Sequence, residues 1–293
     1  MRGTLHFVPG VDLRWMLALL TPRPLAASAG RLRQLELTEE VFSRCRKKIG
    51  KALQGGRAMT RPALFEMLEA DGIATGAQRG YHILWWLSQV GFLCFGLHEG
   101  KQPTFVLLDE WIPSSKKLDR GESLAELTRR YFISHGPATL QDFSTWSGLK
   151  ITDARAGLEA VQPEMVAEKV GDKSYWRSNG ETLEVPADST AFLLPGFDEY
   201  LLGYQDRSDV LGAGHFGKVV PGGNGVFMPM IVLDGQIVGT WKRTIGKSGL
   251  EIVLHPFGTL RRTAVRTLEE AALRMAAFLG ETLAGVAKVK ADA

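Results

Sequence analysis

The chain has 293 residues, 45% of them hydrophobic and 23% charged, with a formal net charge of +3. That composition is globular, has room for two or more domains, and contains no apolar run near the roughly 18 residues of a membrane helix. Global charge decides little, but Arg23 to Arg57 holds nine Lys/Arg against three Glu, an excess that suits either a phosphate backbone or a solvated helix face.

Cys45 and Cys94 stand alone, with no CxxC. Two cysteines make no disulfide framework in a chain this long, which points to a reducing, cytoplasmic setting. The six histidines show no HxxxH or HExxH spacing, so no metal site is indicated. Arg2, Trp15 to Leu20 and Ala27-Ser28-Ala29 imitate a signal peptide. The apolar run is too short for one, since such a region needs roughly 7–15 residues.

In chain order, Thr4 to Val8 is strand-like and Pro9 ends it. Asp12 is placed to cap a helix through Leu20, and the Pro/Ala/Ser-rich stretch Thr21 to Gly30 reads as a linker. Thr38 to Leu53 then reads as a helix. It turns Val41, Cys45, Ile49 and Ala52 or Leu53 inward, and Arg44, Lys47, Lys48 and Lys51 outward. Thr60 caps a second helix with Pro62 in its first turn, where a missing N–H costs nothing. Gly76 to Val90 is a third, with Gln78, His82, Trp85 and Gln89 on one face. Phe92 to Leu97 and Thr104 to Leu108 form a hairpin about Gly100 to Pro103.

After a link at Pro113 to Gly121 the same pattern returns. Ser123 to Ser134 is a helix ended by Gly136-Pro137. Thr139 caps the next, with Asp142 three residues on as a capping-box partner and Phe143 and Trp146 inward. Gly148 stops it. Thr152 is placed to cap a third helix carrying Ile151, Ala154, Leu158 and Val161, and a hairpin follows about Gly171-Asp172-Lys173. Three helices and a hairpin make a winged helix, whose helix-turn-helix presents its third helix to a DNA major groove. The plainer alternative is a pair of helical units that bind nothing, or that make protein contacts. The repetition supports both units as real.

Past Asn179 the character becomes β. Ala191 to Leu194, Val226 to Leu233, Gln236 to Trp241 and Glu251 to Leu254 read as strands of a small β-barrel or curled sheet, closed by a helix from Thr267 to Phe278. Gly212, Gly214 and Gly217 spell GxGxxG without the strand and helix that fingerprint needs. Asp198, Glu199, Asp206, Asp209 and His215 could supply an acid or a base; the alternative is that they cap turns and pair with Arg207 or Lys218.

Several stretches together carry a resemblance: RGTLHFV (2–8), HGPATLQDFSTWSGL (135–149), LLPGFDEYLLGYQDRS (193–208), NGVFMPMIVLDG (224–235) and VGTWKR (238–243). In this order they resemble the AlkZ/YcaQ-like family of winged-helix DNA-binding proteins. The resemblance implies an α+β fold of tandem winged-helix units followed by a small β-barrel with a C-terminal helix. The expected divisions are 1–30, a remnant of a first winged helix plus linker; 31–112 and 113–180, winged helices; and 181–293, the barrel-like part. It implies double-stranded DNA as partner, no membrane, no cofactor, and a DNA-repair glycosylase that excises N7-alkylated or crosslinked bases. The family's catalytic Gln-x-Gln or Gln-x-Asp pair precedes the RGTLH stretch, which here begins at residue 2. Catalysis is therefore expected to be impaired, through a late start or a shortened homologue. The alternative is a non-catalytic or regulatory DNA-binding module. The expected DNA-binding residues are Arg44, Lys47, Lys48, Lys51, Gln78, Arg79, His82, Lys150 and Arg155. His6 and Asp198 are expected to line the cleft.

Overall fold

A computed structural model describes residues 5–180 and 190–289. In chain order the elements are α1 (Leu13–Leu20), α2 (Pro22–Gln34), α3 (Glu39–Leu53), β1 (Met59–Thr60), α4 (Arg61–Ala70), α5 (Arg79–Gln89), β2 (Leu93–Glu99), β3 (Gln102–Leu107) and α6 (Leu108–Trp111). There follow α7 (Arg120–His135), β4 (Ala138–Thr139), α8 (Leu140–Ser147), α9 (Ile151–Val161), β5 (Met165–Val170) and β6 (Lys173–Ser178). The remainder is β7 (Ala191–Leu194), α10 (Glu199–Leu202), α11 (Phe216–Val219), β8 (Met230–Leu233), β9 (Gln236–Gly246), β10 (Gly249–Pro256), α12 (Arg262–Leu279) and β11 (Leu283–Lys288). The fold is α+β with open sheets. It divides into two compact units, Met1–Ser134 with Ser147–Met165, and His135–Trp146 with Val166–Ala293.

In the first unit, the Thr38 hydroxyl accepts from the Val41 N–H and starts α3. Thr60 does the same for α4 through the Ala63 N–H, with Pro62 in the first turn. Phe42, Cys45, Ile49 and Leu53 of α3 pack with Leu64, Leu68, Ile83, Leu87, Leu93 and Phe105 in one core. The β2–β3 hairpin gains a third strand by pairing Met59 with Phe105 and Thr60 with Thr104, in the order β1-β3-β2. Helices α7 and α9 touch closely at Gly157. A Cβ there would lie 2.3 Å from the Thr128 hydroxyl and 3.1 Å from the Leu124 carbonyl oxygen.

In the second unit the strands run β11-β10-β9-β8-β7 in one sheet. One core forms between it and α12, from Leu193, Ile231, Trp241, Leu250, Ile252, Leu254, Leu268 and Ala272. Another gathers Leu201, Leu211, Val219, Met230, Val232 and Ile237. A separate small sheet has the order β4-β6-β5.

Several local expectations change. The stretch expected as linker at 21–30 is helical from Pro22, in a helix that runs on to Gln34: Pro22 fits a first turn, and Ala26, Ala27 and Ala29 favour helix. Residues 5–8 hold no strand. Asp12 makes no cap bond to α1; its carboxylate goes to Trp15 and Arg130 instead. Lys150, not Thr152, is the N-cap of α9, without a side-chain cap bond. The sheet is not closed into a barrel among the described residues, because β7 and β11 each pair on one side only. Strand β11, unanticipated, runs parallel to β10, and α12 supplies the crossover that a parallel pair requires. Residues 181–189, the start of the expected barrel-like part, lie outside the described residues.

Candidate nucleic-acid interface

On α3 the apolar face is spent on the core, so the cations at 44, 47, 48 and 51 fall on the opposite face by helical period. They are not equivalent. Arg44 Nη2 donates to the Asp71 carbonyl at 2.9 Å, and both Arg44 and Lys48 pair with the Asp71 carboxylate. Lys47 and Lys51 are exposed and make no ion pair among the described residues. Arg46, not singled out from sequence, lies over the Trp86 ring at 4.7 Å and pairs with Glu39.

The start of α5 is held unusually. Ala77 and Gln78 have φ of 50° and 72°, the left-handed region that side chains disfavour. Arg79 does not project freely: Nε donates to the Ala74 carbonyl at 3.1 Å, and Nη1 to the Leu35 carbonyl. Arg31, one residue past the stretch expected to be linker, donates to Gln78 Oε1 at 2.8 Å. His82, one turn on, meets the Tyr81 and Trp85 rings edge-on. Burial, and secondly the Arg31 charge, push its imidazole below the usual histidine range. Gln78, Arg79 and His82 are thus brought together, and Arg31 is the member that sequence reasoning missed.

At α9, Lys150 and Arg155 are exposed and without an ion pair among the described residues. Asp153 pairs with Arg120 at 3.0 Å. Arg23 Nη1 donates to the carbonyls of Gly148 and Leu149 at 2.8 and 3.4 Å. His6 is half-buried, in an irregular segment whose Leu5 and Phe7 are exposed.

In the second unit, two stretches that carried the resemblance meet. Asp142 accepts from the Thr139 N–H at 2.9 Å and its hydroxyl at 2.6 Å, while Thr139 Oγ1 accepts from the Asp142 N–H at 3.1 Å. The other Asp142 oxygen accepts from the Gln205 N–H at 2.8 Å. Trp146 Nε1 donates to Glu199 at 2.8 Å, and His135 Nε2 is 3.6 Å from the same carboxylate oxygen. Tyr204 donates to the His135 carbonyl at 2.8 Å. Burial first, then Asp142, pushes the Tyr204 phenol up to about 12.

Within the acidic run 198–209, Asp198, Glu199 and Asp206 are each held by neighbouring donors. Asp198 caps α10 by accepting from the Tyr200 N–H at 2.8 Å, and Glu199 holds Trp146. Asp206 accepts from Ser208 and Lys173, and the Lys173 ammonium holds its carboxyl well below the usual range. Among the described residues no three His, Cys, Asp or Glu gather as a metal set, and no helix is long and apolar enough to cross a membrane.

A family model described as DNA glycosylase AlkZ-like matches residues 1–278. An interstrand DNA cross-link repair glycosylase of Streptomyces sahachiroi is 29% identical over 301 residues, covering 96% of this chain and 78% of the relative. The solved structure of the Streptomyces sahachiroi DNA glycosylase AlkZ matches with a TM-score of 0.80 at 24% identity, covering 99% of this chain and 80% of that one. At that identity the likeness speaks for the fold.

Proposed function

The chain belongs to the AlkZ-like DNA glycosylases, and from that membership we propose that it binds duplex DNA and acts on alkylated or crosslinked bases. Each run of three helices and a hairpin, within 31–112 and 113–180, is read as a winged helix. The observation that carries the reading is the repeat itself. Both runs start their second helix at a threonine, both return a hairpin that pairs with a two-residue strand before that helix, and exposed cations accompany both. The DNA contacts are assigned to Lys47 and Lys51 on α3, Gln78 at the N-cap of α5 and His82 on it, and Lys150 and Arg155 at α9. Arg44 and Lys48 contribute less, because Asp71 already offsets their charge.

An N7-alkylated purine carries positive charge and leaves readily. The protein then needs polar groups that steady an oxocarbenium-like sugar, as in other glycoside cleavages, and needs no cofactor. A second reading, a non-catalytic DNA-binding module, draws on the acidic run. Asp198, Glu199 and Asp206 are engaged in caps and pairs that suit structure better than proton transfer. Base release from a duplex containing N7-methylguanine, beside an unmodified control, separates the two. Release specific to the modified base supports the glycosylase. Salt-sensitive binding without release supports the module.

A further inference from the structure

Helix α2 stands where the sequence suggests a linker, and it has no fully buried residue. Leu32 packs, partly buried, against the core of the first unit, and the remaining specific contacts are polar and long in range. Near its first turn, Arg23 reaches the Gly148 and Leu149 carbonyls, in the turn that leads into α9. Eight residues on, about 12 Å along a helix at 1.5 Å per residue, Arg31 reaches Gln78 at the start of α5. At the C-cap of α2, the Leu35 carbonyl accepts from Arg79, the first residue of α5. Preceding α1 is tied down too: Arg14 donates to the Ile112 carbonyl and pairs with Asp109, and Asp12 pairs with Arg130 of α7. One short helix thus touches the beginnings of the third helix in both repeats.

The start of α5 has reason to need such support. Ala77 and Gln78 sit at positive φ, a conformation that side chains disfavour unless its surroundings hold it. Arg31 and Arg79 supply part of that hold, beside the backbone bonds from the Arg79 N–H to the Gly76 carbonyl and from the Gly80 N–H to the Thr75 carbonyl. Arginine has only donors, so the group facing Arg31 must be the Gln78 oxygen. Gln78 is exposed, and its amide nitrogen carries donors that this bond does not use.

We propose that α2 is a spacer that fixes the starts of α5 and α9 against one another, with Arg23, Arg31 and Arg79 as positioning residues, so that both third helices meet a duplex as one rigid pair. The duplex rests on the functional reading above; the bracing does not. Two bound elements held at a fixed spacing gain affinity through effective concentration, without any added contact.

The test uses the full chain with Arg23→Ala, Arg31→Ala and the double substitution, read by amide hydrogen exchange and by duplex binding across a salt series. Bracing predicts faster exchange at residues 148–154 in Arg23→Ala and at 76–82 in Arg31→Ala, with near-native melting. It also predicts about tenfold weaker duplex binding at an unchanged salt slope. If the arginines instead touch phosphate, each loss lowers the slope by about 0.9 while exchange stays as it was, and the proposal falls. Unchanged exchange at both starts overturns the spacer whatever the DNA result. A wild-type chain that binds no duplex, with exchange altered as expected, leaves the spacer standing and overturns its role in DNA binding together with the functional reading.

Discussion

Replacing Lys47 and Lys51 with glutamine should roughly halve the salt dependence of duplex binding. Of the seven cations expected at DNA, Arg44 and Lys48 share Asp71, and Arg79 is committed to two backbone carbonyls. Lys47, Lys51, Lys150 and Arg155 remain exposed without an ion pair among the described residues. Four phosphate contacts give a slope of log K against log salt near −3.6, at about −0.9 per contact. Removing two lowers its magnitude to about 1.8. Scaled from 1 M, where this contribution vanishes, to 0.15 M, the same term makes the loss about 30-fold. Fluorescence anisotropy on a labelled duplex, from 50 to 300 mM salt, reads both quantities. Arg44→Gln is the matched control and should change the slope by much less than 0.9. A double lysine variant with the wild-type slope, or Arg44→Gln with a full unit lost, would refute this partition of the charges.

Asp142→Ala removes a reciprocal cap and strands the Thr139 and Gln205 N–H groups; a destabilisation of about 3 kcal/mol is expected, visible in chemical denaturation, whereas an unchanged midpoint would dismiss the junction's importance. Gly157→Ala should destabilise by about 2 kcal/mol despite alanine's better helix propensity, because its Cβ has no room beside Thr128 and Leu124; a raised melting temperature would contradict the close approach. Arg130 and Trp15 hold the Asp12 carboxyl near pH 2, below its ordinary 3.8, so its contribution is complete above 3.8 and lost as pH falls through about 2; acid titration of wild type against Asp12→Asn should show the two converging there. For His82 the depressed imidazole contributes above its ordinary 6.5 and loses that contribution as pH falls, so His82→Gln should flatten the mild-acid part of the stability profile.

Much of the fold was legible because its signals are local. The caps at Thr38, Thr60 and Thr139, the period of Cys45, Ile49 and Leu53, and the turn at Asp234-Gly235 each act within a few residues. The basic face of α3 followed from the same period, but which of its cations stay exposed without a partner did not, since Asp71 lies beyond α4. Helix α2 could not be read: with no fully buried residue it leaves little apolar period, and two of the contacts that hold it join residues 125 and 47 positions apart. Strand β11 was missed because its pairing with β10 depends on the crossover through α12. What the sequence by itself determined was therefore where those helices with a side-chain cap and those hairpins with a turn signal begin, since hydrogen bonds over three or four residues decide that. Only the tertiary structure decided which charges are neutralised and which distant residues Arg23 and Arg31 reach, because those contacts form between residues that meet only once the chain has folded.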